Sequence, residues 1–348
     1  MALVQYILRL LSAFHLSGGR DDDPADLEDL PRSDTLVSAI LSVWDRATSA
    51  TAAEIEALAV EPPFVLSSAM PTLERNQRFE VLLFLPVGWS RQSTRDDGDF
   101  PKSYRRARFA TVESLRALAQ GRALPSDALL VSDRGSIVAP AAPGAFDSNP
   151  TIDSIWRQHL WRREVTPRVA VDRFTAAAAE GVLFRYGSTY FRKDVYLTVL
   201  AEFHDPSYRP TFETALRILG MEGIGGGRSI GRGRFELHRV IDGFEPQLGS
   251  GRRLLLSLMH PTKAEILQGL LASPAAYSLV GRGGWAELNG IGVNRRQTVN
   301  LLAEGSLVCD LGASRYGNSV CTLRSNRLPY AVYRCGCALT LPLAWRNS

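Results

Sequence analysis

The stretch 220-GMEGIGGGRSIGRGRFEL-237 decides the fold of this chain. Half of residues 223–234 are glycine, and three of the others are arginine. Glycine has no β-carbon to keep the backbone away from a ligand, and peptide N–H groups beside guanidinium groups suit phosphate oxygens. We therefore expect this loop to hold an anionic backbone. The residues that carry the expectation are Gly223, Gly225, Gly226, Gly227, Gly231, Gly233, Arg228, Arg232 and Arg234.

A helix and a strand are predicted on either side of the loop. The apolar positions that share one helical face before it are Phe212, Ala215, Leu216 and Leu219. After it, 234-RFELHRV-240 alternates apolar and polar residues, as a strand does. A dinucleotide fingerprint or a nucleotide phosphate loop needs the order strand, loop, helix, so the order found here disfavours a mononucleotide site. A loose surface loop is the alternative interpretation, and the regular spacing of the arginines argues against it.

Composition limits the classes of protein to which the chain can belong. A chain of 348 residues is long enough for two domains, and a net charge of +4 is only mildly basic. Polyanion binding must therefore come from local patches. The apolar N-terminal stretch 1–19 lacks a basic leader, and no apolar run approaches membrane-spanning length. We expect a cytoplasmic protein without a membrane contact.

Neither a metal nor a cofactor is expected. The acidic run 21-DDDPADLEDL-30 is interpreted as a solvated loop rather than a metal site. The four cysteines lie within the last forty residues and show no C-x-x-C spacing. Cys335 and Cys337 lie two apart in the strand-like run 330–343, where core packing is the favoured role over a zinc site.

The order of elements indicates an α+β protein with two ferredoxin-like (RRM-like) domains. The first, 1–241, would contain the glycine-rich loop 220–234 and, at about 88–165, a projecting insertion. Its predicted elements are strands at 2–14, 64–69, 78–86, 167–172 and 194–203 and helices at 33–47, 111–120 and 211–220. Ser33 or Asp34 would cap the predicted helix 33–47, in which Leu36, Ile40 and Trp44 share one face.

The second domain, 249–348, would repeat the strand-to-helix opening of the first. Strand 253–259 leads to a helix with Thr262 and Glu265 at capping-box spacing. The residues expected to face inward from that helix are Ile266, Leu267 and Leu270. Further strands are predicted near 277–282, 297–308 and 330–343.

Aromatic and basic residues alternate just before and within 168-RVAVDRFT-175. The preceding run 156-WRQHLWRREVTPR-168 interleaves two tryptophans with arginines, Arg168 among them. Aromatic faces can stack on bases while arginines follow phosphates. Burial of the two tryptophans in the protein is the open alternative, and Asp172 with Arg173 can equally form a structural ion pair.

Several of these segments together resemble one known family. The run F-H-x-S-G from Phe14, 33-SDTLVSAI-40, 172-DRFTAAAAEGVLF-184, the glycine loop and 299-VNLLAEGSLV-308 are similar to subunit four of the Csm complex. That complex is the type III-A CRISPR effector, and this subunit belongs to the RAMP superfamily. The resemblance extends over nearly the whole chain in matching order.

The resemblance implies a noncatalytic RNA-binding subunit. It would bind the 5′ handle of the crRNA, cap the filament of backbone RAMP subunits, and contact the large polymerase/nuclease-like subunit. A thumb, here expected from 88–165, would act on the guide–target RNA duplex. The RNA-binding residues would be His15, Ser33, Arg173, Thr175 and the loop Gly225, Gly226, Gly227, Arg228, Ser229, Gly231, Arg232 and Arg234, together with Arg168.

An enzyme is the alternative that this family leaves open. Related RAMP proteins cut repeat RNA without a metal, and His15 would then be the general acid or base. The sequence offers no second acid–base group beside it. A metal-dependent nuclease that uses 21-DDDPAD-26 is less favoured still, because no histidine ligand lies nearby.

Overall fold

The N-terminal part of the chain is built from strands that mostly join one sheet. The computed structural model describes residues 3–17, 27–75, 77–89, 107–122, 129–131, 137–140, 159–171, 174–175, 177–287, 293–325, 328 and 330–345. Its strands up to residue 244 are β1 (Leu3–Leu10), β2 (Leu16–Ser17), β3 (Leu27–Glu28), β4 (Phe64–Leu66), β5 (Met70–Arg75), β6 (Arg78–Phe84), β7 (Phe109–Thr111), β8 (Leu129–Val131), β9 (Ile137–Pro140), β10 (Trp161–Val171), β11 (Ala178–Phe191), β12 (Val195–Phe203) and β13 (Phe235–Phe244).

Five helices accompany these strands in the described residues. They are α1 (Ser33–Leu41), α2 (Trp44–Thr48), α3 (Ala52–Val60), α4 (Val112–Ala119) and α5 (Arg209–Glu222). A single 3-10 turn, Pro206–Tyr208, precedes α5. A second one, Arg228–Ile230, lies within the glycine loop. No helix in the described part of the chain is long and apolar enough to cross a membrane.

The central sheet has the strand order of a ferredoxin-like domain. Strands β13, β1, β12 and β5 lie side by side in that order, and every neighbouring pair is antiparallel. Since α1 follows β1 and α5 joins β12 to β13, this is the split βαβ arrangement. The predicted α+β, ferredoxin-like class is confirmed.

The predicted helical faces are confirmed as well. The four apolar residues before the glycine loop are buried, and so are Leu36, Ile40 and Trp44. The predicted helix 33–47 is in fact α1 and α2, separated at Ser42 and Val43. Neither Ser33 nor Asp34 caps α1 through its side chain, because Arg32 is the N-cap residue and makes no side-chain cap bond.

Up to residue 140, the described parts of the insertion expected at 88–165 extend the central sheet rather than project from it, and its last residues, 161–165, begin β10. Strands β7, β9 and β8 extend the central sheet beyond β6, and α4 packs against them. Apolar strands with unpaired edges join a sheet more readily than they stand alone. The long two-stranded hairpin is β10–β11 instead, and β10 is largely exposed on both faces beyond Trp161.

The C-terminal part consists mainly of short antiparallel strands. They are β14 (Arg252–Leu255), β15 (Leu279–Arg282), β16 (Trp285–Glu287), β17 (Val293–Arg295), β18 (Val299–Leu302), β19 (Leu307–Cys309), β20 (Val320–Leu323), β21 (Val332–Arg334) and β22 (Thr340–Leu343). Strands β19, β14 and β22 form a three-stranded sheet in that order, and the others pair in twos.

The capping box of the C-terminal part forms as predicted, but the helix that follows it is short. Thr262 and Glu265 exchange both capping hydrogen bonds at the start of α6 (Lys263–Leu267). Ile266 is 47% exposed and Leu267 88% exposed, so the prediction that they face inward is wrong. The helix ends at Leu267, before its apolar face can meet the core, and Leu270 is buried as predicted.

One hydrophobic core extends over both parts of the chain. Leu254, Leu256 and Leu341 belong to the same buried cluster as β1 and α5. Cys335 is buried and Cys337 half-buried, which agrees with core packing. In the described ranges, no group of three or more histidine, cysteine or acidic residues could hold a metal ion. The run 21–26 lies outside the described residues.

Buried ion pairs also join α1 to the C-terminal part. Asp34 is fully buried and accepts hydrogen bonds from Arg282, at 3.0 and 3.1 Å, and from Arg334. Arg282 also donates to Glu28 at 2.8 Å. Buried charges must be paired to be tolerated, so this network fixes α1 against the C-terminal strands.

Candidate nucleic-acid interface

The glycine loop is a fixed element of the fold, held by the segment that follows β1. The N–H of Gly226 donates to the carbonyl oxygen of His15 at 2.8 Å, and the N–H of Gly233 donates to that of Ala13 at 2.9 Å. The N–H of Arg234 donates to Ser12 Oγ at 2.8 Å. These bonds attach the loop at several points, which does not fit the interpretation of a loose surface loop.

Most of the glycines are required by the protein's own packing. A β-carbon on Gly225 would collide with the His15 carbonyl oxygen, and one on Gly227 with the Tyr186 hydroxyl. A β-carbon on Gly226 would lie 2.5 Å from His15 Cδ2. Gly231 is different, because its φ is +76° and no atom would lie within 4 Å of an added β-carbon. The expectation that the glycines leave room for a ligand therefore applies to Gly231.

His15 is oriented by the hairpin β10–β11. Its Nδ1 lies 2.8 Å from the carbonyl oxygen of Gly187. Because a carbonyl oxygen only accepts, Nδ1 carries the proton and Nε2 of the neutral ring is the acceptor. The imidazole stacks on Tyr186, with ring centroids 4.3 Å apart and planes 15° from parallel. In the described part of the chain, no carboxylate forms a hydrogen bond or ion pair with His15.

Arginines gather around two tyrosines of β11. The guanidinium carbon of Arg168 lies 4.2 Å from the ring centroid of Tyr186. Arg232 donates to Tyr190 Oη at 3.2 Å, and its guanidinium carbon lies 5.5 Å from that ring, as does the one of Arg162. Cation–π contacts of this kind hold each guanidinium beside the ring without neutralising its charge.

Tyr186 is the least satisfied polar group of this surface. Its hydroxyl is buried and has no hydrogen-bond partner in the part of the chain that the structure describes. Burial raises the pKa of Tyr186, and the charges of Arg168 and Arg232 oppose that rise. A neutral phenol donor without an acceptor therefore lies close to the charges of Arg168 and Arg232, which suits the approach of an anionic oxygen.

Positive charge without a carboxylate partner faces solvent at the loop. Arg228 and Arg234 are exposed, and neither forms an ion pair with any described residue. Ser229 is exposed beside Arg228, whereas Arg232 is half-buried. The loop, His15 and the hairpin arginines thus form one basic surface, which we call the loop–hairpin surface (His15, Arg168, Tyr186, Tyr190 and 225–234).

The remaining predicted residues do not all lie on this surface. Ser33 is 3% exposed, and its hydroxyl accepts a hydrogen bond from the N–H of Leu258 at 3.0 Å, so it is a structural residue and is removed from the set. Thr175 is exposed near the turn of the hairpin. Arg173 lies outside the described residues, as do Asp172 and Trp156. Trp161 is buried against Phe191, as the alternative interpretation had it.

Sequence reasoning missed Tyr186 and Tyr190. They are four residues apart on β11 and so share one face of the strand. The alternation in 184-FRYGSTYF-191 is visible in the sequence, but it does not show which face meets the glycine loop.

Comparison with known proteins identifies two segments of the chain. Residues 249–343 match the CRISPR Csm4 C-terminal domain family, and residues 117–236 match the RAMP superfamily. The search of curated proteins found no match.

Solved structures share the fold across the whole chain. One similar chain comes from the crystal structure of the Csm3–Csm4 subcomplex in the type III-A CRISPR-Cas interference complex, with a TM-score of 0.63, 18% identity, and coverage of 99% of each chain. Another comes from the Csm1–Csm4 cassette in complex with AMPPNP, with a TM-score of 0.57, 16% identity, and coverage of 100% of each chain.

Proposed function

Because the chain is a RAMP-superfamily protein that carries a Csm4 C-terminal domain, we propose that it binds the 5′ handle of the crRNA. It would do so as a subunit of a type III-A CRISPR effector complex in the cytoplasm. One observation carries this proposal: the glycine loop, His15 and the hairpin arginines converge on a single basic surface. Backbone N–H groups and unpaired guanidinium groups bind phosphates without reading base sequence.

The fold neighbours support the proposed partners. They come from a Csm3–Csm4 subcomplex and a Csm1–Csm4 cassette. We extend this to the present chain: it would cap a filament of backbone RAMP subunits and contact the large polymerase/nuclease-like subunit. The core that unites its two parts would let these contacts support one another.

The hairpin β10–β11, rather than 88–165, is the segment we assign to the thumb. It is long, and among the described residues it pairs with the rest of the chain only through the bridge between Thr189 and Phe14. Its strand β10 is largely exposed on both faces beyond Trp161. Phe174, near its turn, is 99% exposed, and Val171 and Leu183 are also exposed. Apolar side chains at the end of a protruding hairpin suit insertion beside the bases of a guide–target duplex.

We propose a binding role without catalysis for His15. Its proton is on the ring nitrogen that faces Gly187, and its ring is held by Tyr186. General acid–base cleavage needs a second group for the developing charge. The alternative, a metal-independent endoribonuclease with His15 as general acid or base, makes a different prediction for the length of the bound RNA.

The test is ultraviolet cross-linking of this chain to end-labelled guide RNA in the co-expressed complex. Guides with and without the 5′ handle are compared, and the RNA length is measured. We expect handle-dependent cross-links in 225–234 with RNA of unchanged length in the wild type and in His15→Ala. Cross-links that ignore the handle would overturn the proposed role. Shortened RNA that becomes full-length in His15→Ala would establish the nuclease instead.

A further inference from the structure

A cavity opens between the glycine loop and the C-terminal part of the chain. Its volume is about 340 Å³, within the range of small-ligand sites. Gly225 and Arg228 of the loop line one side, and Trp285, Arg296, Tyr330 and Tyr333 line another. The cavity thus shares a rim with the loop–hairpin surface, but none of its C-terminal residues belongs to that surface.

Arg296 is a half-buried cation in this wall without an acidic partner. It donates from Nε to Thr322 Oγ1 at 2.9 Å and from Nη2 to the carbonyl oxygen of Tyr333 at 2.7 Å. Within the described residues, no carboxylate lies within ion-pair distance of it. Burial lowers the pKa of Arg296 to about 9, with Arg334 adding to the effect. Burying an unpaired charge is costly, so an anion that entered the cavity would relieve the cost.

Carboxylates close to the cavity are already in use. Asp34 is shared by Arg282 and Arg334, and Glu56 pairs with Arg324 at 3.5 Å and accepts a hydrogen bond from Tyr333 Oη at 3.5 Å. Among the described residues that line the cavity are two arginines, Arg296 and the exposed Arg228, and no aspartate or glutamate.

Aromatic side chains form part of the cavity wall, and α1 and α3 supply another part, with Thr35, Ser38, Leu41 and Ile55 among its residues. Trp285 is 51% exposed at the opening, and Tyr330 and Tyr333 are half-buried within the wall. Base–aromatic stacking accepts any base, since every base has a π face. A cavity that combines a large aromatic surface with arginines matches a nucleotide better than a simple anion or an apolar ligand.

We propose that this cavity takes one nucleotide unit of the RNA strand that crosses the glycine loop, with its phosphate between Arg228 and Arg296 and its base against Trp285. This inference rests on the proposed function, because the loop delivers the strand. It assigns Trp285 and Arg296, both far along the chain from the loop, to RNA binding. The base leaves the stack of its neighbours, as bases do in single-stranded recognition.

The test combines protein variants with single abasic positions in the RNA. Handle RNAs that each lack one base are titrated against the co-expressed complex containing wild type, Trp285→Ala or Trp285→Phe. We expect one abasic position in the RNA to weaken binding to the wild-type complex roughly tenfold. Trp285→Ala should weaken binding of the intact RNA to a similar extent. The abasic RNA and the Trp285→Ala complex together should lose no more affinity than either change alone. Trp285→Phe, which keeps a ring, should retain most of the affinity. Leu267→Ala, which removes an exposed apolar side chain that does not line the cavity, is the control.

Two further arms separate the outcomes. Arg296→Gln should weaken binding of the intact handle, and circular dichroism reports whether that variant folds; if it does not, the Trp285 cycle decides alone. If no abasic position is coupled to Trp285, the cavity inference fails while the handle proposal stands. If wild-type binding does not depend on the handle, the proposed function itself fails. If free AMP or UMP binds the complex in a way that Trp285→Ala abolishes, while handle RNA binding does not depend on Trp285, the cavity is a site for a free nucleotide and the inference is wrong.

Discussion

Gly226 lies so close to His15 that a β-carbon on the glycine would be 2.5 Å from Cδ2 of the imidazole. The ring is held in place by its hydrogen bond to Gly187 and by its stacking on Tyr186. We expect Gly226→Ala to lower the free energy of unfolding by about 1–3 kcal/mol, the usual cost of overpacking. Urea unfolding of the chain measures it. An unchanged midpoint would mean that His15 moves freely.

Gly231 allows the loop backbone to be tested without disturbing the packing. Gly231 and Gly243 both have positive φ, at +76° and +77°, and both face open space where a β-carbon would lie. Alanine at either position should cost about 1–2 kcal/mol of backbone strain. We expect only Gly231→Ala to weaken the binding of handle RNA as well, because its β-carbon would lie between the loop backbone and the phosphate. Filter binding with both variants makes the comparison; equal RNA affinities would place the RNA elsewhere.

The exposed arginines of the loop should control the salt dependence of binding. Removal of one phosphate contact reduces the slope of log affinity against log salt concentration by about 0.7 for a single strand. We expect Arg228→Ala and Arg234→Ala each to weaken RNA binding and flatten this slope. Arg315→Ala, whose guanidinium pairs with Glu61 at 2.5 Å, is the matched control. A slope that keeps its wild-type value would show that the two loop arginines do not contact phosphate.

Asp34 should be one of the most sensitive positions for stability. Its carboxylate is fully buried between Arg282 and Arg334. Asp34→Asn leaves the buried Arg334 without a carboxylate partner and Arg282 with Glu28 alone. We expect a loss of about 3–5 kcal/mol in the free energy of unfolding. Asp45→Asn is the control, because its exposed carboxylate is 3.9 Å from Arg46 and should contribute little. Thermal and urea unfolding compare the two.

The same aspartate predicts how stability changes with acid. Burial alone would raise the pKa of Asp34, but the guanidinium groups of Arg282 and Arg334 outweigh it and hold that pKa well below the usual range. The unfolded state, with an ordinary carboxyl pKa of about 3.9, then binds the proton first. Its stabilising contribution is therefore complete above about pH 4 and is lost as the pH falls toward the folded value. The stability gap between wild type and Asp34→Asn should shrink over that range; a constant gap would contradict this.

The sequence predicted the elements whose signals are local. Helical spacing located α5, alternation located β13, and the capping box at Thr262 and Glu265 formed as written. It missed β5, in which Pro71 and two charged residues obscure the strand pattern. It also expected 88–165 to project, because irregular composition says nothing about which sheet edge is open to receive β7 and β9.

The candidate site was predicted only in part, because only some of its residues give a signal that is local in the sequence. The glycine loop and His15 were found from residue types alone, and the structure joins them through hydrogen bonds. Ser33 was included wrongly, since its hydroxyl is used inside the fold. Tyr186, Arg296 and Trp285 could not be found, because their proximity to the loop depends on how the hairpin and the C-terminal strands dock.

By itself, then, the sequence determined the ferredoxin-like order of elements, the basic glycine loop and the mild overall charge that confines polyanion binding to patches. Those properties follow from spacing and chemistry within a few tens of residues. Only the tertiary structure decided that most of the glycines serve the packing against His15 and Tyr186, that Asp34 ties the two parts together, and that a cavity faces the loop. Such contacts join residues up to 300 positions apart, and no local pattern encodes which of them meet.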